Sequence, residues 1–380
     1  MCGPEGTNWA VICVTTDSTI QVTLLRNDGE MPAVTMTMVA KVAGVSVSTV
    51  SHVINGTRPV APDTRANVLA VMKELGFTHK PVARSLAAGS TVTIGLSMSW
   101  VSSMYGQELV AGIEAESHRQ GMQLLLSDTR DDEEREERVV ANLLAHHVGG
   151  MLIAPTAGWQ QSTLRLLQEH AVPFVVIDRL QDLRVDQVGV ENETGSASVV
   201  EHLLQGGHKR VGIITGRAGL ATTSERLEGY RAAHRRRGIR VESQYVVDGD
   251  STEQGGRRAM MALLAAKPRP TGVFIANDSM TMGALRAMQD AGVDVPGDMA
   301  VVCFDDLPWG DVVSPRLTTI AQPSFAIGAR AVQLLVRRIA DPQAPAQTLR
   351  LAGEVTHRES CGCRGRGETV AADIAAAAQR

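Results

Sequence analysis

More than half of the chain, from Val92 to Phe304, alternates short apolar segments with longer amphipathic ones, and this alternation limits what it can fold into. Strand–helix alternation predicts parallel sheets whose two faces are covered by helices. The predicted strands are Val92–Met98, Met122–Ser127, Gly150–Ala154, Phe174–Ile177, Val211–Thr215, Tyr245–Val247, Gly272–Ala276 and Met299–Phe304. The predicted helices between them are Gln107–Gln120, Glu133–His146, Gly195–Gln205, Glu225–Arg237, Thr252–Ala265 and Ser279–Ala291. So many units fit two doubly wound α/β subdomains better than one sheet, and ligands are expected beyond the carboxyl ends of the strands.

A smaller unit is predicted upstream, where residues 35–55 have the pattern of a helix, a tight turn and a second helix. Thr35 can cap the first helix. Gly44 can end it, because a residue without Cβ readily adopts the left-handed conformation. The second helix, capped by Ser46, is predicted to turn three apolar residues toward the first: Val50, Val53 and Ile54. Its exposed residues lie near the helix N-terminus, the part of a recognition helix that meets DNA: Val47, Ser48, Thr49, Ser51 and His52.

A third helix is predicted from Pro62 to Leu75, because proline suits a first turn and Asp63 favours the positive end of the helix dipole. Its core face is predicted to comprise Val68, Leu69, Met72 and Leu75. The next segment, Pro81–Gly89, is too short for a stable isolated helix and is interpreted as a hinge. Between residues 34 and 90 six basic residues oppose two acidic ones, although the whole chain has a net charge of −4. A basic module on an acidic body is typical of a nucleic-acid-binding head.

The two ends of the chain read differently from the rest. Residues 1–33 contain strand-like fragments, Val11–Val14 and Ile20–Leu25, without evident partners. An upstream start codon, with Met31 as the native initiator, accounts for this stretch, and a genuine extension is the alternative; either way we expect poor order.

No signal peptide is evident, and five cysteines, odd in number and near the ends, fit a reducing cytoplasm. Cys361–Gly–Cys363 could be a redox or metal pair, but without a second pair or histidines at zinc spacing an incidental pair is favoured.

Residues 35–363 resemble the lactose-repressor/galactose-repressor (LacI/GalR) family of bacterial transcription regulators. The run 39–56, Val-Ala-Lys-Val-Ala-Gly-Val-Ser-Val-Ser-Thr-Val-Ser-His-Val-Ile-Asn-Gly, is highly specific, and Thr64-Arg65, Leu75-Gly76-Phe77, Val82–Leu86 and Ile94-Gly95-Leu96 continue it. The resemblance implies an N-terminal three-helix helix-turn-helix DNA-binding domain plus hinge helix, followed by a two-subdomain doubly wound α/β core like that of periplasmic binding proteins.

The implied domains are an extension (1–33), the helix-turn-helix domain (34–78), the hinge helix and linker (79–90), the effector-binding core (91–363) and a disordered tail (364–380). Within the core, the N-subdomain is expected at about 91–190 and 323–340, and the C-subdomain at about 191–322 and 341–363. The tail lacks leucine heptads, so a homodimer is expected instead of a tetramer.

The resemblance also assigns DNA contacts residue by residue. Phosphate contacts are implied for Thr35, Ser46, Thr49, Ser51, Asn55 and Thr64, and major-groove contacts for Val47, Ser48 and His52. In the hinge, Leu86 matches a leucine that wedges into the minor groove, and Ala83 lies beside it. The family usually has arginine where His52 stands. Arginine bonds guanine O6 and N7 together, whereas histidine makes one such bond.

Polar residues at predicted strand ends mark the expected effector cleft. The family match favours Asp178, Arg226, Asn277, Asp305 and Gln322, since carboxylates, amides and a guanidinium suit the hydroxyls of a sugar. The expected wall of the cleft is formed by Ser99, Trp100, Met104 and Tyr105. Each residue alone could instead be a helix cap, an ion-pair partner or part of the core, and Asp278 is expected to cap the helix beginning at Ser279.

These observations predict a cytoplasmic, sequence-specific repressor of carbohydrate-utilisation genes that binds a palindromic operator as a dimer under the control of a small sugar-like effector. No cofactor, metal, membrane segment or catalytic set is expected. One alternative is a sugar-binding module whose DNA head is vestigial, given Met38 and His52, which depart from the family pattern. An enzyme on the same core is the other alternative.

Overall fold

The computed structural model describes residues 9–16, 19–26, 36–55, 60–75, 93–101 and 103–363. The chain divides into two units, Met1–Arg84 and Ser85–Arg380. The cap Thr35, the hinge segment 79–90 with Ala83 and Leu86, and the tail 364–380 lie outside the described residues. Their predicted roles therefore stay predictions.

The first unit begins with a hairpin of β1 (Trp9–Thr16) and β2 (Thr19–Arg26), which pair antiparallel with Trp9 opposite Arg26. The expectation that these fragments lack partners was wrong, because they pair with each other. Only two residues separate them, which is the commonest length of a hairpin connection.

Three helices follow: α1 (Met36–Ala43), α2 (Val47–Asn55) and α3 (Pro62–Glu74). Gly44 ends α1 with φ +68°, as its missing Cβ predicted. The helices share a small apolar core that includes Val39, Ala40, Val50, Val53, Val68 and Val71. Leu69 was predicted in this core but is 46 % exposed. The inward face of α3 instead follows the i, i+3, i+4, i+7 spacing from Val68, and Leu69 lies about 100° away from it.

The second unit contains two lobes, each a six-stranded sheet between helices. The N lobe comprises β3 (Thr93–Met98), β4 (Gln123–Asp128), β5 (Met151–Ile153), β6 (Phe174–Ile177), β7 (Asp186–Val190) and β13 (Thr348–Leu351), in the order β13-β7-β6-β5-β3-β4 and all parallel. Its helices are α4 (Met104–Arg119), α5 (Glu133–Ala145), α6 (Thr163–Glu169) and α11 (Ser324–Ala340).

The C lobe repeats this plan with one antiparallel edge. Its strands are β8 (Val211–Thr215), β9 (Val246–Asp248), β10 (Gly272–Ile275), β11 (Ala300–Phe304), β12 (Thr318–Ala321) and β14 (Glu354–Thr356), in the order β14-β12-β11-β10-β8-β9. Only β14 runs antiparallel, against β12. Its helices are α7 (Asn192–Gln205), α8 (Ala221–Arg236), α9 (Glu253–Ala265) and α10 (Asp278–Asp290). The predicted two doubly wound sheets are confirmed.

One predicted subdomain boundary was wrong. Residues 341–363 were assigned to the C-subdomain, but β13 within them pairs with β7 in the N lobe, with Thr348 opposite Gln187. The chain therefore crosses between the lobes three times: after β7, after β12 and after β13. The short segment Thr348–Leu351 has only two apolar residues, too few to mark it as a strand in the sequence. Among the described residues, no helix is both long and apolar enough to cross a bilayer.

Candidate effector cleft and DNA-contact helix

A cleft of about 590 Å³, measured with its open mouth, lies at the carboxyl ends of the strands of both lobes. Its N-lobe side includes the segment after β3, the start of α4 and the residues after β6. Its C-lobe side comes from the loops after β8 to β12 and from α8. The lining residues are Trp100, Ser103, Tyr105, Asp178, Arg179, Gly216, Leu220, Thr222, Thr223, Arg226, Ser251, Ala276, Asn277, Asp278, Ser279, Asp305 and Gln322.

The N-lobe side is built around a buried ion pair. The Arg179 guanidinium bonds both carboxylate oxygens of Asp131, at 2.5 and 3.0 Å, and donates to the Pro155 carbonyl at 2.9 Å. The Ser99 hydroxyl donates to the same carboxylate at 2.7 Å. Burial favours a raised pKa for Asp131, but the bonds from Arg179 outweigh it and the pKa is lowered. The Arg179 guanidinium also lies 4.9 Å from the ring centroid of Trp100, and this cation–π contact holds the Trp100 ring in position.

A second N-lobe contact joins the aromatic and acidic residues of the wall. The Tyr105 hydroxyl donates to Asp178 Oδ1 at 2.6 Å, and the Tyr105 ring lies 5.8 Å from the Trp100 ring. Burial, with the nearby Asp178 charge, raises the pKa of Tyr105 well above its usual value. Tyr105 is therefore a neutral donor at physiological pH, and the remaining oxygen of Asp178 can accept a ligand hydroxyl.

The C-lobe side centres on Arg226, which is only 7 % exposed. Its Nε donates to Asn192 Oδ1 at 2.8 Å, its Nη1 donates to the Ala276 carbonyl at 2.5 Å, and its guanidinium carbon lies 3.6 Å from the Phe304 ring centroid. Among the described residues no carboxylate forms an ion pair with it. The guanidinium is thus held in position by neutral groups while its charge stays available to the cleft.

Asp305 is the second ionisable group of the C-lobe side. Its carboxylate accepts from the backbone amide of Asp278 at 3.0 Å and from Gln322 Nε2 at 2.5 Å. Burial raises the pKa of Asp305 to about 6, although the nearby Arg226 opposes the shift. Gln322 Oε1 is buried without a hydrogen-bond partner among the described residues. An acceptor of this kind is costly to bury unpaired, so it suits a ligand donor.

Three cleft residues have positive φ values, a backbone conformation that residues other than glycine rarely adopt. Trp100, Asp178 and Asp305 have φ values of 52°, 64° and 77°. Each directly follows or nearly follows a strand, so the chain turns sharply as it leaves the sheet. Such strain persists where the surroundings impose it, and it is concentrated at functional sites.

The structure brings together most of the residues expected in the effector cleft. Trp100, Tyr105, Asp178, Arg226, Asn277, Asp305 and Gln322 all line it. Ser99 does not line the cleft, because its hydroxyl points to Asp131 behind the wall. Met104 borders an adjoining groove instead. Arg179, a polar residue at the end of a predicted strand, was not among the residues that the family match favoured, yet it lines the cleft. The acidic run from Asp131 is typical of a solvated helix start, whereas in the structure Asp131 is the ion-pair partner of Arg179.

The predicted cap of α10 was also wrong by one residue. Asn277 is the cap, since its Oδ1 accepts from the Met280 amide at 2.8 Å and the helix begins at Asp278. Asn277 thus combines a structural bond with its place on the cleft lining. Ser251 and Thr223, also on the lining, were missed because neither directly follows an apolar strand in the sequence.

In the helix-turn-helix, Ser46 caps α2 as predicted: its Oγ accepts from the Thr49 amide at 3.0 Å. Val47, 43 % exposed, and Ser48 lie exposed in the first turn, while Thr49, His52 and Thr64 are half-buried. Ser51 and Asn55 lie in α2, but their side chains are outside the described residues. The exposed first turn of α2 is therefore shaped as a recognition helix requires.

A helix-turn-helix joined in one chain to a two-lobed ligand-binding core defines the class of effector-controlled DNA-binding regulators. Matches to known protein families place the chain within that class. Residues 35–79 match the model of bacterial regulatory proteins of the lacI family, and residues 200–361 match the periplasmic binding protein-like domain.

The matches with curated relatives span nearly the full length of each relative. The ribose operon repressor of Escherichia coli strain K12 is 37 % identical over 327 residues, 86 % of this chain and 99 % of the relative. The HTH-type transcriptional repressor PurR of Haemophilus influenzae strain PittEE is 35 % identical over 301 residues, 79 % of this chain and 90 % of the relative. The chain belongs to the lacI family and is a DNA-binding transcriptional regulator, not an enzyme.

Solved structures agree with this assignment. The lac repressor dimer bound to operator and the anti-inducer ONPF superposes with a TM-score of 0.71 at 29 % identity, covering 87 % of this chain and 99 % of that one. The complex of the transcriptional regulator CelR with cellobiose gives a TM-score of 0.66 at 31 % identity, covering 86 % and 99 %.

Proposed function

We propose that this regulator represses carbohydrate-utilisation genes by binding a palindromic operator as a dimer, and that a sugar in the cleft controls this binding. The observation that carries the sugar assignment is the convergence of hydroxyl-binding groups from both lobes: carboxylates of Asp178 and Asp305, the Arg226 guanidinium and the Gln322 amide. Sugar hydroxyls donate to carboxylates and accept from guanidinium and amide groups, so a single polyhydroxy ligand would satisfy all four.

The aromatic side of the cleft supports the same ligand class. Trp100 is held by Tyr105 and Arg179, so its ring is positioned to pack on the C–H face of a sugar. A relative 37 % identical is named for a ribose operon, and a solved lacI-family regulator with a TM-score of 0.64 and 27 % identity contains bound ribose. We therefore place ribose and related pentoses first among candidate effectors.

On the DNA side, we propose that Val47, Ser48 and His52 read base edges, and that Ser46, Thr49, Ser51, Asn55, Thr64 and Thr35 hold phosphates. The capped and exposed first turn of α2 supports this assignment. Leu86 and Ala83 are proposed to enter the minor groove from the hinge of each protomer. Where His52 replaces the usual arginine, one direct bond at most is available for the base.

The direct test measures binding of the full-length protein to fluorescent DNA from its own promoter region, with and without ribose. We expect a palindromic site to be bound far more tightly than random DNA, and ribose to weaken operator binding roughly 10-fold or more, within the range of allosteric couplings. Leu86→Ala should weaken operator binding much more than binding to random DNA.

Each contrary outcome has a distinct meaning. Equal affinity for palindromic and random DNA, with normal sugar binding, would show that the DNA head is vestigial. Tighter operator binding with a purine base, and no response to any sugar, would replace the sugar effector with a nucleobase corepressor. Turnover of a candidate sugar would revive an enzymatic reading of the core.

A further inference from the structure

Four side chains that commonly bind metals meet in the C lobe at residues that do not line the effector cleft: His202, His357, Cys361 and Cys363. One nitrogen or sulfur atom from each lies within 4.8 Å of the corresponding atoms of the other three. His202 is in the last turn of α7, and His357 directly follows β14. The grouping therefore joins a helix to the segment that follows the third crossover.

The backbone around the two cysteines is firmly attached to the C-lobe sheet. The Ser360 carbonyl accepts from the Val301 amide at 2.7 Å, and its hydroxyl donates to the Val301 carbonyl at 2.7 Å and accepts from the Thr318 amide at 2.8 Å. Gly362 turns the chain with φ +73° and bonds back to Glu359. The two thiols are thus presented to the histidines by a fixed turn.

The side chains of the cluster are crowded and incompletely satisfied. The two imidazole rings have centroids 4.3 Å apart, and the two sulfur atoms are 2.9 Å apart, both cysteines being free thiols. His357 Nδ1 is buried and has no hydrogen-bond partner among the described residues. A buried side-chain nitrogen without a partner is uncommon in folded proteins, and an imidazole nitrogen in this state can serve as a metal ligand.

We propose that His202, His357, Cys361 and Cys363 form a structural zinc site. Two sulfur and two nitrogen ligands around a small volume are typical of tetrahedral Zn²⁺, whereas Ca²⁺ and Mg²⁺ require oxygen ligands. Four protein ligands leave no open position, which distinguishes a structural site from a catalytic one. With Zn–S bonds of about 2.3 Å, tetrahedral geometry places the sulfurs about 3.8 Å apart, so binding needs only a small separation of the thiols.

Zinc at this position would tie the end of the third crossover to α7. The same helix begins at Asn192, which positions Arg226 at the effector cleft. The metal would therefore stabilise the C lobe, which carries Arg226 and its side of the effector cleft.

The sequence contained part of this signal. His357 lies four residues before Cys361, although no histidine at zinc spacing was predicted, whereas His202 is far upstream and is brought to the cluster only by the fold. A prediction from the Cys361–Gly–Cys363 pair alone therefore favoured an incidental pair.

The test uses the full-length protein, purified under reducing conditions without a polyhistidine tag. Mass spectrometry of the metal content should find one zinc per chain. After removal by a chelator, Co²⁺ should give the visible bands of a tetrahedral site together with a thiolate charge-transfer band in the near ultraviolet. Cys361→Ser and His202→Ala should each weaken zinc affinity at least about 100-fold, because loss of a direct ligand should cost no less than loss of its supporting groups.

Two controls keep the test specific. Cys303→Ala removes a buried thiol, and His208→Gln removes a half-buried imidazole, neither within the cluster; both should retain one zinc per chain. Circular dichroism checks that each variant is folded, and the half-buried Cys363→Ser provides a second, milder ligand change. Chelation should lower the melting temperature of the wild type but not of Cys363→Ser.

Reduced, folded wild-type protein that binds no zinc or Co²⁺ would overturn the proposal. Metal retained equally by the wild type and all three ligand variants would also overturn it, because the metal would then be bound elsewhere. Reduced protein that takes up no zinc, and whose Cys361 and Cys363 form a disulfide in air, would identify the pair as a redox pair in place of a metal site.

Discussion

The two sides of the effector cleft are built on opposite principles. On the N-lobe side, Arg179 is neutralised by Asp131, and Tyr105 is bonded to Asp178. On the C-lobe side, Arg226 is held by an amide, a carbonyl and an aromatic ring, and Asp305 is buried with a raised pKa. The charge of Arg179 is thus paired within the N-lobe wall, whereas the charge of Arg226 is left for a ligand on the C-lobe side.

This difference separates residues that stabilise the fold from residues that bind the ligand. A buried charge whose partner is removed destabilises the fold, whereas a charge that awaits a ligand mainly affects binding. We therefore expect changes on the N-lobe side to reduce the free energy of unfolding. Changes on the C-lobe side should reduce effector affinity and leave DNA binding in place.

The largest effect is expected for Arg179→Ala. It leaves the Asp131 carboxylate, whose side chain is 13 % exposed, with the Ser99 hydroxyl but without its ion-pair partner; loss of one partner of a buried pair typically costs about 3–5 kcal/mol. Urea unfolding monitored by circular dichroism measures this loss. Arg165→Ala, on an exposed side chain of the same lobe, is the control and should change the free energy of unfolding by less than about 0.5 kcal/mol. Equal effects of the two variants would contradict the scaffold role of the N-lobe wall.

Next, Arg226→Ala should abolish the effector response at concentrations that saturate the wild type. We expect an affinity loss of about 100-fold, because a guanidinium bond to a ligand in a buried site contributes about 1.5–3 kcal/mol. Calorimetric titration with ribose measures this loss, and operator binding without ribose should persist. Arg231→Ala, exposed on the same helix, is the matched control. A normal ribose titration of Arg226→Ala would remove the main support for the C-lobe assignment.

The pH dependence of effector binding should follow Asp305. With the pKa of Asp305 at about 6 in the free protein, a sugar hydroxyl that donates to its carboxylate selects the ionised form. Effector affinity should therefore be highest above pH 6 and fall as the pH decreases through about 6. Asp305→Asn should bind roughly 10-fold more weakly at pH 8 and show a flat profile between pH 5 and 7. A wild-type affinity independent of pH would argue against contact between Asp305 and the ligand.

The smallest expected effect concerns Arg217, which joins the two sides. From the C lobe it pairs with Asp250 at 2.9 Å and donates to the Asp131 carbonyl of the N lobe at 3.0 Å. Arg217→Ala should remove about 1 kcal/mol from the closed arrangement, which weakens ribose binding about 5-fold without changing the free energy of unfolding of the N lobe. Titration of Arg217→Ala beside the exposed control Arg240→Ala checks this. An unchanged affinity would mean that the bridge does not contribute to closure.

The cleft was largely predictable because parallel strands place their carboxyl ends at one edge. Asp178, Asp305 and Gln322 follow or nearly follow apolar segments in the sequence, so the strand pattern located them. Arg226 lies on a helix and was located by the family resemblance. Asp131 was missed since its acidic neighbours are typical of a solvated helix start, and only the fold brings Arg179 to it.

Other features depended on tertiary packing that no local pattern encodes. β13 was missed because an edge strand needs few apolar residues, and its pairing with β7 moved a subdomain boundary. Leu69 was placed in the core by its hydrophobicity, whereas the rotation of α3 turned Val71 inward instead. The local helix signals of the DNA-binding head, in contrast, predicted the C-terminal end of α1 and the cap of α2 correctly.

The antiparallel strand β14 has a consequence for damaged forms of this protein. It covers one edge of the C-lobe sheet, with Val355 opposite Ile320 on β12. A premature stop after Gly353 would leave the N-lobe sheet complete but expose the backbone donors and acceptors of β12. Bare sheet edges recruit other chains. Such a truncated regulator would self-associate and be cleared by proteolysis, and would not persist as a smaller working form.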